Sequence, residues 1–390
     1  MMFPVSWPSP KLFLPAHMAG NTVSDADVCE IRKALASWTV KRYRTWRDNQ
    51  DSATRDIMTI PHDATIEDAL RALSRRGVLS APVVHVTTGD YLGFFSAGDA
   101  LTKLLVELFP SICDAKLTTP AAMAEALARN ASTVDNIAQW ARDGFLSEHI
   151  VRPGSNNDGD LSYAGFDETT LLDLVSRGLK RSPSAEVRRG DFEPSHRIAI
   201  YEEASNGKMR IADIVSQSDT LRALLSAPDQ LGPWAGNATV DDVFGQSPVL
   251  CVPADLPAIG AFALMHNTDI SGVGVTDPST AKLVAHLTVA DLRCLTSASD
   301  FDLLRLPALK FFAQQRQECS TEEPTHQSPV VTVRPGDTVL HLMRALVDGK
   351  AHRAYVIDET GVPVGVVTLT DLLRLFAVDP ASDKEMLLTF

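Results

Sequence analysis

The sequence predicts an α/β fold built from four copies of one unit, each running strand, helix, strand, strand, helix. Three observations predict it. Residues 328 to 377 alternate short β-branched runs with amphipathic stretches, the same order recurs three times upstream, and each copy closes on a strand followed by Ser or Thr and, three residues on, Asp.

The last copy shows the unit most clearly. Ser328 to Val333 is a β-branched run, and the turn Pro335-Gly336-Asp337-Thr338 leads into a helical pattern with Val339, Leu342, Met343 and Leu346 on one face. His352 to Asp358 and Pro363 to Val367 read as two strands of a hairpin around Glu359-Thr360-Gly361. Thr368-Leu369-Thr370-Asp371 then opens a second helix, Leu372 to Ala377. Residues 54 to 105 and 239 to 297 match this template element for element. The remaining copy is stretched: Thr170 to Ser216 spans 46 positions where Thr338 to Thr368 spans 30, so about fifteen residues near Arg181 to Pro194, rich in charge and Pro, are inserted as a surface loop. The predicted division is an N-terminal segment and helix (1–48), repeat 1 (49–108), a linker (109–157), repeat 2 (158–227, with the insertion near 181–195), repeat 3 (236–298), repeat 4 (324–378) and a tail (379–390).

The connecting segments are read in the same way. Ser24 and Asp27 make a capping box before the helical pattern Val28, Ile31, Leu35, Trp38, and the basic run Lys41 to Arg47 is expected to complement that helix's C-terminus. Thr133 to Phe145 is amphipathic through Val134, Ile137, Ala138 and Ala141, with Trp140 a packing residue, and residues 154 to 160 read as loop. Ala227 to Pro233 separates the two halves, Phe301 to Phe312 is apolar and helical around Pro307, and Gln314 to Thr325 is a polar tether.

A net charge of -13 on 390 residues argues against a nucleic-acid surface, so any anion site must be locally basic. Cys29, Cys113, Cys251, Cys294 and Cys319 lack C-x-x-C spacing, which predicts neither a disulfide framework nor a metal site and favours a reducing compartment, cytoplasm or nucleus. Pro4, Pro8, Pro10 and Pro15 interrupt any signal-like apolar run, and no stretch is long and apolar enough to span a bilayer, so the chain is expected to be soluble and to have no membrane partner.

The motifs Ser96-Ala97-Gly98-Asp99, Ser216-Gln217-Ser218-Asp219, Thr288-Val289-Ala290-Asp291 and Thr368-Leu369-Thr370-Asp371, with His196-Arg197 and His352-Arg353, resemble the cystathionine-β-synthase (CBS) domain. Four copies over roughly 54 to 377 are similar to the gamma regulatory subunits of AMP-activated and plant sucrose-non-fermenting-related kinases, and Leu306 to Phe311 resembles the helix linking the last repeats of the plant proteins. The resemblance implies four βαββα repeats packed as two pseudo-two-fold pairs in a disk.

A Ser or Thr followed by Asp at a helix start is also an ordinary N-cap with an acidic third residue. Four such Asp in register, never Glu or Asn, point beyond capping to a ligand of fixed geometry. The resemblance implies that Asp99, Asp219, Asp291 and Asp371 hold a nucleotide ribose, with Ser96, Ser216, Thr288, Thr368, Thr65, Thr170 and Thr338 as supporting hydroxyls. His-Arg stands in the even repeats where the odd ones have Ser80-Ala81 and Ser271-Gly272, an alternation a paired architecture accommodates by letting one partner supply phosphate donors. By the same resemblance His196, Arg197, His352 and Arg353 contact the phosphates. Repeat 1 lacks His-Arg, although Arg75, Arg76 and Lys103 are near in sequence.

No phosphate loop, zinc-protease helix, nucleophile elbow or kinase loop is present, so an enzyme is not expected. The resemblance implies no required cofactor, AMP, ADP or ATP as ligand, and a protein kinase catalytic subunit and a beta-type scaffold subunit as partners. Two alternatives stay open: a sensor of an adenosyl ligand acting on another enzyme or channel, and a constitutive scaffold with unused clefts.

Overall fold

The computed structural model describes residues 24–50, 57–150, 165–179, 196–205, 207, 209–245, 249–318 and 330–377. The proline-rich start, the loop at 154 to 160, the repeat-2 insertion and the tail fall outside them. Ser24 forms the expected capping box with Asp27, and helix α1 (Asp25–Ser37) follows, but Trp38 and Thr39 turn extended and a second helix, α2 (Val40–Gln50), carries the basic run.

Repeat 1 comprises β1 (Ile60–Pro61), α3 (Ile66–Arg76), β2 (Ser80–Val84), β3 (Tyr91–Ser96) and α4 (Ala97–Leu108). Gly77 ends α3 with φ at 61°, where a residue without Cβ adopts the left-handed turn at little cost. The linker is mostly helical: α5 (Pro110–Asp114), α6 (Pro120–Arg129), α7 (Ala131–Asp135) and α8 (Ile137–Asp143), with Trp140 stacked on Phe145 at 4.7 Å. Repeat 2 has α9 (Leu171–Leu174), widened into a π turn at Val175–Leu179, then β4 (Arg197–Glu203), β5 (Met209–Ser216) and α10 (Gln217–Leu225). Among the described residues its first strand is represented by one bridge, Gly165 to Ile200.

After α11 (Trp234–Asn237) and α12 (Val240–Phe244), repeat 3 comprises β6 (Cys251–Pro253), α13 (Ala258–Thr268), β7 (Gly272–Thr276) and β8 (Leu283–Thr288). Its closing element is a short 3-10 helix, Val289–Cys294, where the other repeats have α-helix. A second 3-10 segment, Ala298–Arg305, and α14 (Ala308–Glu318) flank Leu306-Pro307, so Gln314 belongs to a helix and not to a tether. Repeat 4 comprises β9 (Val331–Val333), α15 (Val339–Asp348), β10 (Arg353–Ile357), β11 (Pro363–Thr368) and α16 (Leu369–Ala377). Repeats 1, 3 and 4 share one sheet pattern: the first strand parallel to the second, the second antiparallel to the third.

The helices segregate into two hydrophobic cores. One joins repeats 1 and 3 through residues such as Leu70, Leu104, Phe262 and Phe301; the other joins α1, α2, repeat 2 and repeat 4 through Leu35, Leu221, Leu342 and Phe376. Each such side chain, taken from water, contributes about 1.5–3 kcal/mol. The sheets make the remaining contacts, repeat 1 against 2 (Tyr91 and Tyr201, ring centroids 6.1 Å) and 3 against 4 (His286 and Tyr355, 6.0 Å). Sheet pairs and helical cores therefore close a ring in the order 1, 2, 4, 3.

The connecting segments cross over between partners. Thr39 bridges Thr170 of repeat 2, His149 bridges Thr65 of repeat 1, Thr239 bridges Thr338 of repeat 4, and Pro307 bridges Pro257 of repeat 3. Residues 239–244, assigned from sequence to repeat 3, thus pack on repeat 4, because the apolar face of α12 (Val240, Val243) completes that repeat's core. Within the basic run Arg42 serves the C-terminus of α1 as expected, donating from Nη1 to Ser37 O at 2.8 Å, while the two arginines that follow serve another element. Arg44 and Arg47 reach Asp213 on β5 at 3.4 and 2.8 Å, and Arg44 also meets Asp167 at 2.8 Å, fastening the N-terminal helices to repeat 2. Cys29 and Cys251 are free, but Cys294 is disulfide-bonded, contrary to the expectation from spacing. No described helix is long and apolar enough to cross a membrane.

Candidate functional site

The four motif carboxylates do the same local work. Oδ2 of each accepts from the backbone N–H and the hydroxyl of the preceding Ser or Thr: Asp99 at 2.7 and 2.8 Å, Asp219 at 2.9 and 2.7 Å, Asp291 at 2.6 and 3.1 Å, Asp371 at 2.8 and 2.7 Å. The hydroxyls of Ser96, Ser216, Thr288 and Thr368 are thereby engaged with their own Asp. Thr65, Thr170 and Thr338 cap α3, α9 and α15, accepting from the backbone N–H three residues on. Capping thus explains the residue types locally. It consumes only one oxygen of each carboxylate, and Oδ1 of Asp219 accepts from Arg222 Nη1 at 3.0 Å.

Strand register corrects the alignment of the basic pairs. Arg197 lies opposite Ser216, Arg353 opposite Thr368, Ser80 opposite Ser96 and Gly272 opposite Thr288. Position for position, Arg197 and Arg353 therefore match Ser80 and Gly272, so His196 matches Leu79 and not Ser80. Both guanidinium groups reach across the sheet pair to the matching place. Arg197 Nη1 donates to Ser80 Oγ at 2.8 Å, and Arg353 donates to Gly272 O at 2.8 Å and Ser271 Oγ at 2.7 Å. A Cβ on Gly272 would sit 2.6 Å from the Arg353 guanidinium carbon. The alternation along the sequence is thus also a packing rule, since two arginines facing each other here would collide and repel.

The structure brings together residues from three repeats that the sequence did not connect. His352 feels Arg197, His196, Arg353 and Arg293, and Arg197 itself feels Arg293. Crowding by protein atoms, then these neighbouring cations, push His352 down to about 3. His196 remains open to solvent, yet the protein mass around it, with Arg197 and Arg353, lowers it to about 4, against the Gln217 amide, whose acceptor oxygen favours the protonated ring and raises it. Both rings are therefore neutral at pH 7 and gain a proton favourably only when an anion arrives. Desolvation also lowers Arg197, Arg293 and Arg374, opposed by Asp219, Asp291 and Asp371 respectively.

Arg293 was absent from the sequence reading. Its signal is the cation two or three residues after the motif Asp on the closing helix, seen as Arg222, Arg293 and Arg374 in repeats 2, 3 and 4. Repeat 1 differs. Desolvation raises Asp99, opposed only by its own cap, and Lys103 is held by Glu107 at 2.6 Å and Glu148 at 2.7 Å. Among the described residues no group of three or more His, Cys, Asp or Glu could hold a metal ion.

Residues 51–106 and 325–378 match the family model of the CBS domain. The chain is 23% identical, over 90% of its length and 84% of the relative's, to the SNF1-related protein kinase regulatory subunit gamma-1 of Arabidopsis thaliana. It is 27% identical over 77% of its length to Protein SDS23 of Phaeosphaeria nodorum, of which it spans 52%. Among solved structures, a Methanocaldococcus jannaschii protein described as a candidate archaeal homolog of g-AMPK superposes with a TM-score of 0.52 at 15% identity, covering 83% of this chain and 98% of that one.

Proposed function

We propose that this chain, whose residues 51–106 and 325–378 are CBS domains, is a non-catalytic regulatory subunit that binds adenine nucleotides. It reports AMP, ADP or ATP to a protein kinase catalytic subunit held with a beta-type scaffold subunit, in the cytoplasm or nucleus. One observation carries the reading: His196, Arg197, Arg293 and Arg353, which with His352 come from three repeats, gather within electrostatic reach of His352 in a chain of net charge -13. Accumulating like charge is unfavourable unless an anion completes it. Two of the motif carboxylates are close to these cations, Asp219 to Arg197 and Asp291 to Arg293, so a ligand carrying both a diol and a phosphate suits the combination. A hydrogen bond to a charged group contributes about 1.5–3 kcal/mol. Arg197 and Arg353, pinned across the sheets, fix the walls, while His196, His352 and Arg293 meet the phosphate.

Regulation requires that nucleotides differ in affinity between two states of the assembly. The test is to denature the purified protein, identify any released nucleotide by mass, and titrate the emptied chain with AMP, ADP and ATP. Adenine nucleotide in the supernatant and saturable binding support the reading; an empty supernatant with no binding overturns it.

A further inference from the structure

Gln217 is out of pattern. At the residue after the motif Ser or Thr, the other repeats have Ala97, Val289 and Leu369, all apolar. Gln217 is 4% exposed, and burying an amide is unfavourable unless its hydrogen bonds are made. Its amide makes them to two separate places, Nε2 donating to Leu179 O at 2.6 Å and to Thr370 Oγ1 at 2.9 Å, while the Gln217 backbone N–H donates to His196 O at 3.1 Å. Thr370 precedes Asp371 in repeat 4, while Gln217 lies two residues before Asp219.

Resting on the nucleotide reading above, we infer that Gln217 is a positioning residue that couples the cleft of Asp219 and His196 to the cleft of Asp371. The physical path is short: a phosphate that draws on His196 shifts the residue whose carbonyl holds the Gln217 backbone, and the Gln217 amide holds the first turn of α16, which presents Asp371. Among the described residues the apolar side chains at the matching positions, Ala97, Val289 and Leu369, cannot make a hydrogen bond of this kind between motif turns.

The test uses the full chain and calorimetric titration with AMP. The affinity of the Asp371 cleft is read in the wild type, with its neighbour filled, and in Asp219→Asn, with its neighbour disabled. The ratio of the two is the coupling factor, expected at about fivefold or more. The same pair of measurements is made in the Gln217→Leu and Thr370→Val backgrounds, where the ratio should fall to about one while AMP still binds. Thr370→Val cuts only the link to repeat 4 and leaves Leu179 and His196 tied, so it carries the test if Gln217→Leu fails to fold. A ratio near one in the wild type, or a wild-type ratio in Thr370→Val, overturns the inference and leaves Gln217 a purely structural residue. Absence of AMP binding in the wild type overturns the functional reading with it, and is told apart by that first titration.

Discussion

Arg197 Nη1 donates to Ser80 Oγ at 2.8 Å, joining residues that hold the same register position in neighbouring repeats. Arg353 repeats the relationship with Gly272 O in the other pair. Large faces small across each sheet pair, so a change on the small side should be felt by the Arg.

Gly272→Ala places a Cβ 2.6 Å from the Arg353 guanidinium carbon. Urea unfolding should show a loss of about 1–3 kcal/mol, the usual cost of overpacking. Unchanged stability would mean that the two strands separate freely.

Asp213 faces Arg47 at 2.8 Å, their side chains 8% and 11% exposed. Asp213→Ala leaves the Arg47 guanidinium only the exposed Asp48 as counter-ion, at 3.1 Å, and should cost about 1.5–3 kcal/mol in the same assay, the contribution of hydrogen bonds to a charged group. A loss below about 1 kcal/mol, as for a surface pair, would contradict the docking of the N-terminal helices through this contact.

These two contacts show where sequence reading stops. The repeat was legible because its β-branched runs, helical periods and Ser/Thr-to-Asp caps are local signals. The partner of Asp213 was not, because Arg44 and Arg47 lie over 160 residues away and their run looked like an ordinary helix end. Ser80 was misaligned with His by one residue because register is set by pairing with Ser96, which the sequence does not print. Residues 239–244 look continuous with repeat 3, yet the apolar face of α12 is claimed by repeat 4. Arg293 was missed because its neighbours at the centre come from other repeats.

Stability should fall with acid through the two central histidines. His196 sits at about 4 and His352 at about 3 in the folded protein, against an ordinary 6.5. Between those values the unfolded chain binds more protons, so stability declines as pH drops from about 6.5 towards 4 and is flat above about 7 as far as these groups contribute. Thermal unfolding across that range should flatten in His196→Ala/His352→Ala; an identical profile would show the rings to be ordinary.

Asp371→Ala should weaken AMP and adenosine alike by about 2 kcal/mol through the lost ribose bonds. It should also cost about 1 kcal/mol of stability, because Asp371 belongs to the cap of α16. Calorimetry showing wild-type affinity and stoichiometry would remove the ribose assignment.

The central claim is that the gathered His and Arg residues hold a phosphate. Its most direct measurement is calorimetric titration of the full chain with AMP and with adenosine at two salt concentrations. The account predicts tighter binding of AMP, an affinity for AMP but not adenosine that falls with salt, and loss of the preference in His196→Ala/His352→Ala. Equal affinities for the two ligands, unaffected by salt, would contradict it.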